Sequence, residues 1–268
     1  MSENGGVRNP FDSDQAAHRY AGGRYYYHRS ALDIAARLKP IGPAGLAIDV
    51  GCGTGLSARA LRSLADRVVA VDASAAMLRA AQRHPRVGYL VAAAERIPLG
   101  DAAADLATVA GAFHWFDQPS AFPELARVLR GGASLVVYTD FFHGRLASQS
   151  GFADWLSEWY LSRYPSPARH AQFDPEAAEQ SGFGHVAFSE GEFRVQMTRT
   201  GMADYLLSQS NAACAIESGV TSAEALVNQI LDETAAFFGG HEHVEALFGI
   251  RAWTAVRAVT ERPSAATV

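Results

Sequence analysis

Seven consecutive residues, Asp49-Val50-Gly51-Cys52-Gly53-Thr54-Gly55, have the types and spacing to hold a nucleotide-like ligand against bare backbone. Glycine on alternate positions permits backbone angles closed to other residues and lets a ligand come close where a Cβ would stand. The dinucleotide fingerprint G-x-G-x-x-G fails from either start, since its third glycine would fall on Leu56 or on Ala58. The phosphate-cradling pattern G-x-x-x-x-G-K-[ST] is absent too. What remains, D-x-G-x-G-x-G, suits an adenosine that carries an amino-acid tail and no pyrophosphate.

Such a loop needs a strand before it and a helix after it. Leu46-Ala47-Ile48-Asp49-Val50 is short, mostly apolar and β-prone, while Leu56, Ala60, Leu61 and Leu64 recur at helical spacing. Strands are expected at 46–50, 67–71, 87–91, 105–110 and 133–138, alternating with helices, which predicts a parallel sheet covered on both faces. Ahead of it, residues 11–38 read as helix with an aromatic-rich break at 22–28. Beyond Tyr138 the rhythm changes. Helices are expected at 152–164, 174–180, 202–208 and 222–238, a strand or hairpin at 185–197, and a closing strand pair or one long strand at 246–259. Residues 1–10 and 262–268 read as loose tails.

Composition narrows the partners. At 268 residues and 49% hydrophobic, the chain fits one α/β domain with embellishments. A net charge of −5 without any basic run argues against nucleic acid. Cys52 and Cys214 are too few for a disulfide framework, and His241 and His243 lack further ligands at metal spacing, so no metal is expected. No signal peptide is visible, and no apolar run approaches the roughly 18 residues of a membrane span. A cytoplasmic protein that meets no membrane is the expectation.

With the later motifs added, the chain resembles the class I S-adenosylmethionine methyltransferases. Val68-Val69-Ala70-Val71-Asp72 reads as a second strand ending in an acid, placed to accept both ribose hydroxyls, and Ser74 as the N-cap of the next helix. Ala94-Glu95-Arg96-Ile97-Pro98-Leu99 matches the family's turn near the adenine. The strand at 105–110 runs into His114-Trp115-Phe116-Asp117, and Glu124-Leu125-Ala126-Arg127-Val128-Leu129-Arg130-Gly131-Gly132 matches the helix and turn before the fifth strand. The His-Trp-Phe-Asp run points to the branch of trans-aconitate methyltransferase-like small-molecule enzymes. Three positions depart from the pattern: Ala73 replaces the usual proline, Arg130-Gly131-Gly132-Ala133 replaces Lys-Pro-Gly-Gly, and Ala92 and Ala93 stand where relatives carry an aspartate.

The resemblance implies a Rossmann-like, seven-stranded, mostly parallel sheet with helices on both faces. It adds a helical cap from the C-terminal half. A lid helix and cofactor-binding core would occupy 1–140, and cap segments with the closing strands 141–268. S-adenosylmethionine would lie against Gly51, Gly53, Asp72, Ala73, Ala94 and Glu95. Asp49 either orients the loop, binds the methionine ammonium through water or is purely structural. Met77 either packs on the adenine or belongs to a helix core. Arg24 either binds the cofactor carboxylate or forms a surface salt bridge.

Methyl transfer from a sulfonium rests on alignment, with nucleophile and methyl brought to about 3 Å. The leaving thioether needs no proton, so a base is required only when the nucleophile still bears its own. His114, at the end of strand four, is the candidate base, or else a histidine packed on Trp115. Tyr20 and Tyr27 either donate to acceptor or cofactor, or pack as amphipathic rings. Residues 138–143 should line the acceptor cavity, and their aromatic groups suggest an apolar or planar acceptor. The expected function is methyl transfer to a small organic molecule through oxygen, nitrogen or carbon. The rivals are a S-adenosylmethionine-binding sensor or partner subunit, and an enzyme that uses the cofactor to assist a rearrangement.

Overall fold

The computed structural model describes residues 9–147, 149–170 and 173–259. Apart from residues 9 and 10, the expected tails lie outside them. Helix α1, Asp14–Gly23, is capped by Ser13, whose hydroxyl accepts the Ala16 amide. A short extended stretch then leads into α2, His28–Leu38. The alternating region follows as β1 (Ala44–Val50), α3 (Leu56–Leu61), β2 (Ala65–Asp72), α4 (Ala75–Ala80), β3 (Val87–Val91) and β4 (Ala104–Ala110). A 3₁₀ turn at Phe113–Trp115 precedes α5 (Gln118–Val128) and β5 (Leu129–Leu146).

The later half holds α6 (Phe152–Asp154), which continues as a π-helix over Trp155–Leu161, then α7 (Pro175–Gln180) and β6 (Phe183–Met197). It closes with α8 (Arg199–Leu207), α9 (Ser210–Glu217), α10 (Ala223–Phe238) and β7 (Val244–Arg257).

The sheet order is β3-β2-β1-β4-β5-β7-β6. The first five strands of that order are parallel, and β7 runs antiparallel to both neighbours. This is the Rossmann-like seven-stranded fold. The chain winds from β1 outward to β3, then returns to place β4 on the other side of β1. Ligands of such sheets bind at that reversal, outside the carboxyl ends of the strands.

Both faces of the sheet are covered, so the central strands alternate between two apolar layers. Ile48, Ala107, Val109, Leu135 and Val137 meet Phe122 and Leu125 of α5 on one side. Ala47, Leu106, Val136 and Tyr138 meet Leu32 and Ala35 of α2 and Leu61 of α3 on the other. A third apolar cluster joins Phe152, Met202, Leu206, Leu226 and Ile230 to Leu146, Ala246 and Phe248, where β5 and β7 project past the core. The division expected at residue 140 falls inside β5, and β6 and β7 are single long strands.

One side-chain staple fixes the loop between β3 and β4. Glu124 of α5 accepts the Ile97 amide at 2.6 Å and pairs with Arg127, whose guanidinium also donates to the carbonyls of Ile97 and Leu99. Glu124→Ala leaves a buried amide unpaired and strips Arg127 of a partner. It is expected to lower stability by about 1–3 kcal/mol, read as an earlier denaturant midpoint at unchanged m-value.

Candidate active site

At the carboxyl end of β1 the glycine loop turns through left-handed backbone. Gly51 has φ +70° and Gly53 φ +52°, values strained for any residue with a Cβ. A Cβ on Gly51 would stand 2.5 Å from the Ala112 Cβ and 3.0 Å from the Phe116 ring. On Gly53 it would stand 3.0 Å from the Met77 methyl. The amides of Gly51 and Cys52 both donate to the Val71 carbonyl, which ties the loop to β2.

Asp49 lies beneath this loop and is fully buried. Its carboxylate accepts from Ser57 at 2.5 Å and Thr108 at 2.8 Å, joining α3 and β4 to β1. Burial pushes it up to about 6 despite those two hydrogen bonds. It does not line the cavity described next, and its hydrogen bonds run to α3 and β4.

Asp72 ends β2 between the glycine loop and the start of α4. One carboxylate oxygen accepts the Gly53 amide at 2.7 Å and the other the Ser74 amide at 2.8 Å. Burial raises its pKa, and the two amides oppose the rise. Ser74 caps α4 and donates to the Phe11 carbonyl, anchoring the N-terminal segment above the loop. Phe11, Ala17 and Met77 pack together there.

A cavity of about 410 Å³ runs from this cradle to the ends of β4 and β5, within the range of small-molecule sites. Gly51, Gly53, Asp72, Ala73, Met77, Ala94 and Glu95 line one end, under Tyr20 and Arg24 of the N-terminal segment. Tyr27, His114, Thr139 and Asp140 line the other. The Glu95 carboxylate is partly engaged, accepting the Asp117 amide at the start of α5 at 3.0 Å.

Arg24 lies over the Tyr20 ring at 4.6 Å, and its buried Nε has no hydrogen-bond partner among the described residues. His114 is buried against Trp115, ring centroids 5.0 Å apart. Burial first, then the Arg169 and Arg24 charges, lower it to about 4, so its imidazole is neutral near pH 7. Tyr27 stacks on His28 and Phe193, and its hydroxyl lies beside the Asp140 carboxylate.

The sequence placed Asp140 only within a stretch facing the acceptor. Arg169, His170, Gln209 and Ser210 also line the cavity and went unforeseen. The first two follow Pro165 and Pro167 in an irregular segment with no periodicity to read, held by the His170 amide donating to the His114 carbonyl. Among the described residues no group of side chains could hold a metal ion, and no helix is long and apolar enough to cross a membrane.

Residues 48–137 match a family model described as a methyltransferase domain. An uncharacterized methyltransferase of Mycobacterium tuberculosis is 42% identical over 194 residues, which are 71% of this chain and 73% of that protein. The chain belongs to the class I S-adenosylmethionine-dependent methyltransferase family. Against a methyltransferase-like protein of Dictyostelium discoideum the match is 36% identical over 94 residues, 35% of this methyltransferase and 36% of the relative. A solved structure provisionally assigned as a type II methyltransferase, from Anaeromyxobacter dehalogenans, superposes with a TM-score of 0.64 at 28% identity. It covers 87% of this methyltransferase and 97% of that chain.

Proposed function

We propose that this methyltransferase moves the methyl group of S-adenosylmethionine to a small organic molecule, with both held in the one cavity. The observation that carries the reading is the continuity of that cavity, from the glycine loop and Asp72 to Tyr27, His114 and Asp140.

The residues fit the cofactor. Gly51 and Gly53 offer backbone without a Cβ, and Asp72 keeps lone pairs for the ribose hydroxyls beyond the two that its amide bonds use. Ala73, Ala94 and Glu95 border the nucleoside end, and Met77 supplies an apolar wall. Arg24, with an orphaned buried Nε, is built to meet a carboxylate through a charge-assisted pair. When bound, S-adenosylmethionine supplies a methyl group on a positively charged sulfur.

The chain's own part is then to align and exclude water. Tyr20 and Arg24 close over the cradle, and the 165–170 segment covers the β4 end. Arg24→Lys keeps the charge but loses the Nε donor and the planar fork. It is expected to weaken S-adenosylmethionine binding about tenfold, one lost charge-assisted hydrogen bond, as read by titration calorimetry.

The deciding experiment incubates the full chain with methyl-labelled S-adenosylmethionine and a small-molecule cell extract. Label passing to a metabolite with a mass gain of one CH2 supports the reading. Tight binding without transfer favours the sensor or the rearrangement enzyme. No binding removes the proposal.

A further inference from the structure

We infer that Asp140, beside Tyr27 at the acceptor end of the cavity, is the base that takes the proton from the methyl acceptor, so that the acceptor is a hydroxyl- or amine-bearing molecule. The inference rests on the methyltransferase reading above and adds to it a catalytic residue and a substrate class.

Asp140 lies near the point where β5 leaves the core, paired with Ile250 of β7, and it lines the acceptor end of the cavity. The Tyr27 hydroxyl lies beside its carboxylate. That tyrosine is itself fixed: its ring stacks on His28 at 4.5 Å and Phe193 at 5.9 Å. Its hydroxyl lies 3.6 Å from where a Cβ on Gly111, just past β4, would stand. The pair therefore sits across the ends of β4 and β5.

The groups whose charges bear on Asp140 are few. Arg24 acts on it through space, forming no ion pair with it among the described residues, and the Tyr20 and Tyr205 hydroxyls face the same cluster. His114, Arg169 and His170 line the cavity beyond. Burial raises the Asp140 carboxyl above its ordinary value, which strengthens it as a base. The same burial weakens His114 as one and keeps the Tyr27 hydroxyl protonated, so Tyr27 does not replace the carboxylate as base. A carboxylate acceptor would meet the Asp140 charge and has no proton to give.

The step balances without further reagents. The O–H or N–H proton passes to an Asp140 oxygen, the nucleophile's lone pair bonds to the methyl carbon, and the pair of the broken carbon–sulfur bond stays on sulfur.

The test has two readouts on the full chain. In the first, protein labelled with ¹³C at the aspartate carboxyls is titrated with and without S-adenosylhomocysteine, which keeps the cofactor's ammonium but lacks its sulfonium charge. The Asp140 signal is the one missing from Asp140→Asn. It is expected to titrate within about half a pH unit of the same midpoint in both states, and higher in Tyr27→Phe, which removes the hydroxyl beside the carboxylate. A drop of about one unit or more with S-adenosylhomocysteine, or a comparable loss of its affinity in Asp140→Asn, would make Asp140 an ammonium anchor and overturn the proposal.

In the second, ¹³C-methyl S-adenosylmethionine and a small-molecule extract are expected to yield an ether or a methylamine. Asp140→Asn should cut kcat about a hundredfold at unchanged KM for S-adenosylmethionine and abolish the acidic limb of the pH profile. Label on a carboxylate oxygen or on carbon, or full turnover in Asp140→Asn, sinks the inference alone. Cofactor binding with no label moved by the unmutated chain removes the methyltransferase reading as well.

Discussion

Asp72→Ala is expected to weaken S-adenosylmethionine binding about a thousandfold. Two cofactor hydroxyls on one partly buried carboxylate are each worth about 1.5–3 kcal/mol as charge-assisted hydrogen bonds, and about 4 kcal/mol in all is a thousandfold in affinity. The carboxylate also accepts the Gly53 and Ser74 amides, so its loss frees the glycine loop from the start of α4. Asp72→Asn separates the two effects. It keeps the volume and one acceptor oxygen but no charge, and should retain more of the stability than of the affinity. Calorimetry with S-adenosylmethionine and thermal denaturation of the free protein read the two in turn. Binding within about tenfold of the parent in Asp72→Ala would mean that the ribose is not held at this acid.

The features that made Asp72 readable are local. A strand ending in an acid, or a strand ending in spaced glycines, is written in a few neighbouring residues, and the five parallel strands were legible for that reason. Buried on both faces, the central ones, β1, β4 and β5, spell short apolar runs bounded by turns. Beyond Tyr138 the signals become tertiary. Residues 139–146 continue β5 because Phe142 packs on Phe152 and Phe248, partners from distant elements. Helix α9 went unseen because its stretch Ser-Asn-Ala-Ala-Cys-Ala is made of small residues with little periodicity. The site divides in the same way. The loop and its acid came from motifs, and Tyr20, Arg24 and Tyr27 from a family likeness. The Tyr27–Asp140 contact joins residues far apart in the chain, and nothing in either neighbourhood announces it. Glu124 was visible as part of a motif, whereas its work on the Ile97 amide was not.

His28 is expected to withdraw stability as the pH drops from 6.5 toward 4. Its ring is buried between Tyr27 and Tyr138, with Nδ1 3.1 Å from the Tyr138 hydroxyl. Burial, then the Arg59 and Arg24 charges, lower it to about 3. Below pH 6.5 the unfolded chain therefore binds a proton that the folded one refuses, so the stabilisation is present above 6.5 and lost toward 3. His114, held at about 4, adds to the same loss. Asp49 opposes it: with its folded value near 6, the folded state binds the extra proton between about pH 6 and the ordinary 3.8. Asp72, Asp140 and Asp204, also raised by burial, oppose it in the same sense, so the share of His28 is read by difference. His28→Gln keeps a partner for Tyr138 and cannot titrate. Denaturant unfolding at about pH 7 and about pH 4.5 should show the variant losing about 2–3 kcal/mol less than the parent over that interval. Equal losses in both proteins would mean that His28 takes up its proton in the folded state, and that the wall behind Tyr27 is wetter than its burial implies.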